Sequence, residues 1–173
     1  MTRHLRIVGG TLAGVAVAIA AWTARPAAAS ASASLTVSAS VANNCTISTA
    51  ALAFGAYDPV VTHASANLDA TGTVTIACTK GASSTIGLSL GGNATGSTRR
   101  LSDGAGTPSY LTYEMYQDSG RTTVWGDAGA ALLTPAAAPS KAARNFTVYG
   151  RVTANQDVPA GSYSDTITAT VNF

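Results

Sequence analysis

Apolar and polar residues alternate along most of the chain after residue 30, with the period of two that is typical of β-strands with one buried face. In residues 71–79, Val74, Ile76 and Cys78 alternate with threonine and alanine. Four further segments show the same alternation and are predicted strands: 84–91, 110–117, 146–153 and 163–173. Their apolar faces comprise Ile86, Leu88 and Leu90; Leu111, Tyr113 and Met115; Phe146, Val148, Gly150 and Val152; and Ile167, Ala169, Val171 and Phe173.

Turn-forming sequences separate these segments, among them Asp58-Pro59, Gly91-Gly92-Asn93 and Asp118-Ser119-Gly120. Many short strands at this spacing, with almost no helical periodicity, predict a single all-β sandwich domain. The Ala- and Pro-rich residues 128–140 are expected to form a loop or a short irregular strand within it.

The first 29 residues have a different character. Arg3 and Arg6 precede an uncharged apolar run from Ile7 to Trp22, and the small residues Ala27 to Ala31 follow. These are the three regions of a secretory signal peptide, and the apolar run is shorter than the ~20 residues that a membrane-spanning helix needs. We therefore expect residues 1–29 to be removed on export, with cleavage after Ala29 or Ala31.

Removal of this segment changes the charge of the chain, and export places its cysteines in an oxidising compartment. Seven of the ten basic residues then remain with all eight acidic ones, so the exported domain is almost neutral. Such a domain lacks the basic surface that nucleic acids or anionic membranes require. Cys45 and Cys78 are both exported, and an even number of cysteines in an oxidising compartment predicts a structural disulfide.

One alternating segment is hard to place in a self-contained sandwich. Residues 33–41 put Ala33, Leu35, Val37, Ala39 and Val41 on one face, next to the expected new N-terminus. An edge strand this regular, without a charge or a proline, promotes pairing with other chains. The pattern alone leaves two possibilities open: the segment joins its own sheet, or it joins another chain.

Candidate catalytic residues are few. Residues 87–91 match the G-x-S-x-G motif around Ser89, but glycines follow where a helix should begin, and the only exported histidine, His63, precedes the serine. His63 has no second imidazole for a metal site and is expected to be a solvated loop residue. Glu114 is the only glutamate, so a glycosidase carboxylate pair is unsupported. We expect no enzyme activity, cofactor or metal.

Eight short motifs in order make the mature chain similar to a known family. They are Asn44-Cys45-Thr46, Leu52-x-Phe54-Gly55-x-Tyr57-Asp58-Pro59, Gly72-Thr73-Val74-Thr75-Ile76-Ala77-Cys78-Thr79, Arg100-Leu101, Leu111-x-Tyr113-x-Met115-Tyr116-x-Asp118, Trp125-Gly126, Tyr149-Gly150-Arg151-Val152 and Gly161-Ser162-Tyr163-Ser164-Asp165-Thr166. Together they resemble the spore coat protein U domain, which major subunits of archaic (Csu-type) chaperone–usher pili share.

The resemblance implies an immunoglobulin-like, pilin-type β-sandwich that lacks its last strand. In such subunits a periplasmic chaperone first fills the groove beside the C-terminal strand, and the N-terminal extension of the next subunit then replaces it. Carried over, residues 43–173 would form the sandwich and residues 30–42 the donor extension. The donor side chains would be Leu35, Val37, Ala39 and Val41, and the acceptor strand would present Ile167, Ala169, Val171 and Phe173.

The resemblance also implies a function: a non-enzymatic subunit that polymerises head to tail into a surface pilus for attachment or biofilm formation. The implied partners are further copies of the chain, a periplasmic chaperone and an outer-membrane usher. A spore-coat protein built by the same joint is an alternative. From other classes, a monomeric outer-membrane β-barrel and a secreted carbohydrate-binding module are further alternatives, and the predicted disulfide and low aromatic content disfavour the barrel.

Overall fold

The computed structural model describes residues 27–173, so most of the predicted signal peptide lies outside the described residues. Residues 27–39 belong to a unit of their own and have no regular secondary structure. The second unit, Ser40–Phe173, contains a 3₁₀ turn, Gly129–Ala131, and seven strands: β1 Cys45–Ala50, β2 Leu68–Cys78, β3 Thr85–Leu88, β4 Arg99–Ser102, β5 Tyr110–Tyr116, β6 Arg144–Val152 and β7 Ala169–Asn172.

The strands form two antiparallel sheets. One sheet has the order β1-β2-β6-β5-β4, and the other consists of β3 and β7 alone. The core between them is made of the apolar faces predicted from the alternation: Val74, Ile76 and Cys78 on β2; Leu111, Tyr113 and Met115 on β5; Val148 and Val152 on β6; and Ile86 and Leu88 on β3. The predicted all-β sandwich is confirmed.

Four strands differ from the predictions. β3 is regular only over Thr85–Leu88, whereas the predicted segment is 84–91. β1 was not predicted because it is an edge strand with four exposed residues and only Cys45 and Ile47 partly buried. β4 was missed because a charged residue, Arg99, occupies its most buried position. The last strand is regular only over Ala169–Asn172, although the alternation of partly buried and exposed residues extends back to Tyr163.

Two buried polar side chains join the sheets along one side of the sandwich. The indole N–H of Trp125 donates to the carbonyl of Ile86 at 2.9 Å. The Arg99 guanidinium is fully buried, donates to the carbonyls of Leu88 at 2.8 Å and Trp125 at 2.9 Å, and pairs with Glu114. A buried cation is tolerated only with such partners, so Arg99 fixes the β4 edge against β3.

The predicted disulfide is present between Cys45 and Cys78, which lie directly opposite each other in the β1–β2 ladder with 4.1 Å between their Cα atoms. The two residues are 33 positions apart in the sequence. The bond therefore holds an otherwise weakly buried edge strand to the centre of the larger sheet.

Replacing both cysteines, Cys45→Ala with Cys78→Ala, should lower the free energy of unfolding by about 2–5 kcal/mol, since the unfolded chain regains the freedom of the closed loop. Urea denaturation of monomeric protein measures the change. Parent protein treated with a reductant serves as the matched control and should unfold at the same lower urea concentration. An unchanged midpoint would contradict this structural role.

Candidate functional site

The side of the sandwich opposite Arg99 is open. There, among the strands of the described residues, β1 pairs only with β2, and β7 pairs only with β3. Cα atoms of β1 and β7 approach within 8 Å of each other, yet within residues 27–173 no backbone hydrogen bond joins the two strands. The sandwich thus has two unpaired strand edges along one seam.

The free edge of β7 is defined by the phase of its ladder. Ser89 N–H donates to Thr168 O at 2.9 Å, so Thr168 and every second residue after it direct their backbone groups towards β3. The N–H and C=O groups of Ile167, Ala169 and Val171 consequently point to the open side. In the described part of the chain none of these groups has a hydrogen-bond partner on the open side. They can therefore pair with the backbone of another strand.

The edge of β1 shows the same arrangement. Thr79 N–H donates to Asn44 O at 2.9 Å, which fixes the even-numbered residues as those that bond to β2. The backbone groups of Cys45, Ile47 and Thr49 therefore point away from β2. Both margins of the seam offer unpaired backbone groups.

Between the margins lies a cleft of about 240 Å³ with an apolar floor. Core side chains from both sheets reach it, and Ile167 and Ala169 line its β7 side; other lining residues are Leu52, Phe54, Val74, Leu88, Met115 and Val148. A second hollow of about 740 Å³ lies between residues 52–59 and 158–165 and shares lining residues with the first. The two hollows form one groove along the C-terminal segment.

Two glycines shape the groove. A Cβ atom on Gly150 would come within 2.7 Å of Leu52 Cδ1 and 2.8 Å of Phe54 Cζ, and one on Gly72 would come within 3.0 Å of Leu52 Cβ. Their missing side chains let Leu52 and Phe54 lie flat against β2 and β6. Leu52 and Phe54 belong to a sequence motif, but their place in the groove could not be predicted without these tertiary contacts.

Asp165 is the charged residue at the junction of the two hollows. Its carboxylate accepts hydrogen bonds from the Tyr113 hydroxyl at 2.8 Å, from Gly92 N at 2.9 Å and from Asn93 N at 3.1 Å. Burial raises the pKa of Tyr113, and the bond to Asp165 raises it further, so the phenol stays protonated. The arrangement anchors the start of the C-terminal segment and does not resemble an acid–base pair.

The prediction that His63 is solvated is wrong. The residue is 7% exposed, its Nδ1 accepts the Asp58 N–H at 2.8 Å, and its ring stacks on Tyr57 with ring centroids 4.9 Å apart. The turn from Asp58 folds back over the imidazole, which a polar sequence context does not reveal. The Asp58 carboxylate accepts hydrogen bonds from Val61 N and Val60 N, which lower the pKa of Asp58, and the nearby His63 lowers that pKa to a smaller extent. His63 is therefore a structural part of this loop.

The remaining catalytic candidates are also structural. The Ser89 hydroxyl accepts hydrogen bonds from Thr168 N at 2.9 Å and Gly91 N at 3.4 Å, and no histidine among the described residues bonds to it. Within residues 27–173, no three His, Cys, Asp or Glu side chains are grouped to hold a metal ion. Over the same residues, no helix has the length and apolar character to cross a membrane.

The predicted donor residues lie in an exposed segment. Leu35, Val37 and Val41 are 87%, 85% and 85% exposed, and Ala39 is exposed as well. Of the predicted acceptor residues, Ile167, Ala169 and Val171 are partly buried beside the groove, whereas Phe173 follows β7 and is 55% exposed. The described residues thus include an exposed segment with one apolar face and an apolar groove beside β7.

Comparison with known proteins gives the family. The model of the spore coat protein U domain matches residues 31–170. Protein U of Myxococcus xanthus is 36% identical over 166 residues, which cover 84% of this chain and 87% of that protein.

A solved structure is also similar: the chaperone–tip adhesion subunit complex CsuC–CsuE from archaic chaperone–usher Csu pili of Acinetobacter baumannii. The TM-score is 0.56 at 21% identity, and the match covers 77% of this chain but only 40% of the other. At this identity the likeness shows a shared, pilin-like fold. On the family model and the identity to Protein U, the chain belongs to the spore coat protein U domain family.

Proposed function

We propose that this protein is a structural subunit of a chaperone–usher pilus, and that residues 33–41 of one copy fill the groove beside β7 of the next. The observation that carries the proposal is the unpaired edge of β7 along an apolar groove, in a chain that also has an unpaired alternating segment. The likeness in fold to a Csu pilus complex supports it.

The backbone of the groove favours a strand as its occupant. Ile167, Ala169 and Val171 direct N–H and C=O groups to the open side, and each such group needs a partner once water is excluded. An extended segment laid along β7 supplies these partners at the regular spacing of a ladder. Residues 33–41 contain no proline, so every residue of the segment can donate a backbone hydrogen bond.

The side chains of the segment also match the groove. One face of residues 33–41 is apolar and the other consists of serine and threonine, as required for a strand with an apolar floor beneath it and solvent above. Burying Leu35, Val37 and Val41, now 85–87% exposed, would stabilise the joint by roughly 5–9 kcal/mol. Nine residues span about 30 Å, enough to extend past β7 towards the second hollow.

The assembly that follows is a fibre. Donor and acceptor are different surfaces of one chain, so the contact is heterologous and propagates head to tail. Before assembly, subunits with an uncovered groove would aggregate. This is a physical reason for a periplasmic chaperone that covers the groove and for an outer-membrane usher at which the next subunit replaces the chaperone. A surface fibre of this kind serves attachment or biofilm formation.

A coat-forming protein with the same joint is the second candidate. The 36% identity to Protein U of Myxococcus xanthus, within a family described by its spore coat domain, favours it. The two candidates differ in where the polymer accumulates: material sheared from growing cells indicates a pilus, and material confined to spores indicates a coat.

Val37→Asp should abolish polymerisation, because a charge in the donor face cannot be buried in an apolar groove. The chaperone complex should stay intact, because the groove itself is unchanged. Ser38→Asp is the matched control: it adds the same charge one residue later, on the polar face, and should still polymerise. Electron microscopy and size-exclusion chromatography measure the outcome. Filaments from the Val37→Asp variant would show that the donor segment is assigned wrongly.

Ala169→Arg should block the groove while leaving the donor segment free, since Ala169 lines the groove floor. Alone, the Ala169→Arg and Val37→Asp variants should each remain monomeric. Mixed, they should form heterodimers that grow no further, because only one functional joint is available. Light scattering distinguishes these states, and a mixture that stays monomeric would argue against a donor–acceptor joint.

Polymer sheared from the native surface should run as a ladder on an SDS gel without heating and collapse to one band near the mature mass after boiling, because a buried strand joint resists detergent until it unfolds. The boiled half of the same sample is the control. A single band under both conditions would exclude a strand-exchanged polymer.

A further inference from the structure

The β3–β7 ladder ends at an irregular pair. Leu88 pairs with Ala169, and the next hydrogen-bonded position joins Ser89 to Thr168. In a regular antiparallel pair both backbone groups of one residue bond to those of the other. Here Ser89 N–H donates to Thr168 O at 2.9 Å, but Thr168 N–H donates to the Ser89 hydroxyl at 2.9 Å in place of the Ser89 carbonyl.

Arg99 explains why the Ser89 hydroxyl, and not the Ser89 carbonyl, accepts the Thr168 N–H. The Ser89 carbonyl accepts hydrogen bonds from Arg99 Nε at 3.1 Å and Nη2 at 2.9 Å. Arg99 is completely buried and needs acceptors for its N–H groups. Because the guanidinium takes the carbonyl, the serine hydroxyl is the acceptor left for Thr168.

The position of Thr168 matters for the groove. Its neighbours Ile167 and Ala169 line the cleft, and their backbone groups form the free edge. β7 itself begins only at Ala169, so the residues just before it are held by hydrogen bonds outside the regular ladder. Thr168 bonds to the backbone N–H and the hydroxyl of Ser89, and the Asp165 carboxylate accepts from Asn93 N and the Tyr113 hydroxyl. Fixing Thr168 fixes the alignment of the first half of the acceptor edge.

We infer that Ser89 and Arg99 act as a positioning pair that holds the acceptor strand in register while the groove is empty. Ser89 contacts the strand directly, and Arg99 acts through Ser89 because its guanidinium occupies the Ser89 carbonyl as a hydrogen-bond donor. This inference rests on the proposed function, and it assigns a role to the serine of the G-x-S-x-G sequence, whose hydroxyl contacts no general base within residues 27–173.

The test uses the exported chain with Val37→Asp as a monomeric acceptor, and a fluorescent synthetic peptide of residues 31–44 as the donor. Fluorescence anisotropy gives the dissociation constant, and hydrogen exchange reports on the Thr168 amide. Ser89→Ala should weaken peptide binding about five- to tenfold, as expected for the loss of one hydrogen bond, and should speed exchange at Thr168 while leaving Gly87 protected. Ser89→Thr, which keeps the hydroxyl, should restore both.

Ser140→Ala is the matched control, since the Ser140 hydroxyl also accepts a backbone N–H, from Ala142 at 3.2 Å, in a loop outside the groove. It should bind the peptide like the parent. The positioning role would be overturned if Ser89→Ala bound the peptide as tightly as the parent, or if Ser140→Ala weakened peptide binding as much as Ser89→Ala. If the parent acceptor itself does not bind the peptide, the proposed joint fails instead.

Discussion

The buried guanidinium of Arg99 is the interaction on which the shape of the sandwich depends. It ties the β4 edge of the larger sheet to the carbonyls of β3 and so closes one side of the molecule. The two sheets therefore keep their separation without a strand between β1 and β7 on the other side. A sandwich closed at both sides would have no groove, and one held at neither side would collapse around its apolar core.

The two margins of the groove are held by different means. β1 has few buried side chains, and its disulfide to β2 compensates for that. β7 has only four residues in the ladder, and hydrogen bonds from Ser89, Asn93 and Tyr113 extend its support to the residues before it. One margin is thus fixed covalently, whereas the other is fixed by polar contacts.

Alternation in the sequence was enough to predict β2, β5 and β6, because each has one face in the core and one in solvent. It was not enough for β1 and β4, where an exposed edge and a buried arginine break the pattern. The proposed donor and acceptor segments are both visible in the sequence as alternating stretches. The groove beside β7 is not visible in the sequence, since it depends on Gly72 and Gly150 admitting Leu52 and Phe54 across the sheet. His63 was misplaced because the closure of its turn is a tertiary effect.

The place of the disulfide has a mechanical consequence. Cys45 is the first residue of β1, so a pull on the N-terminal segment reaches it before any other strand residue. The load then crosses the sulfur–sulfur bond to Cys78 and enters β2, which is bonded on both sides, at β1 and β6. Tension along the chain therefore bypasses the hydrogen bonds of β1, which cannot peel from its N-terminal end while the covalent link is intact.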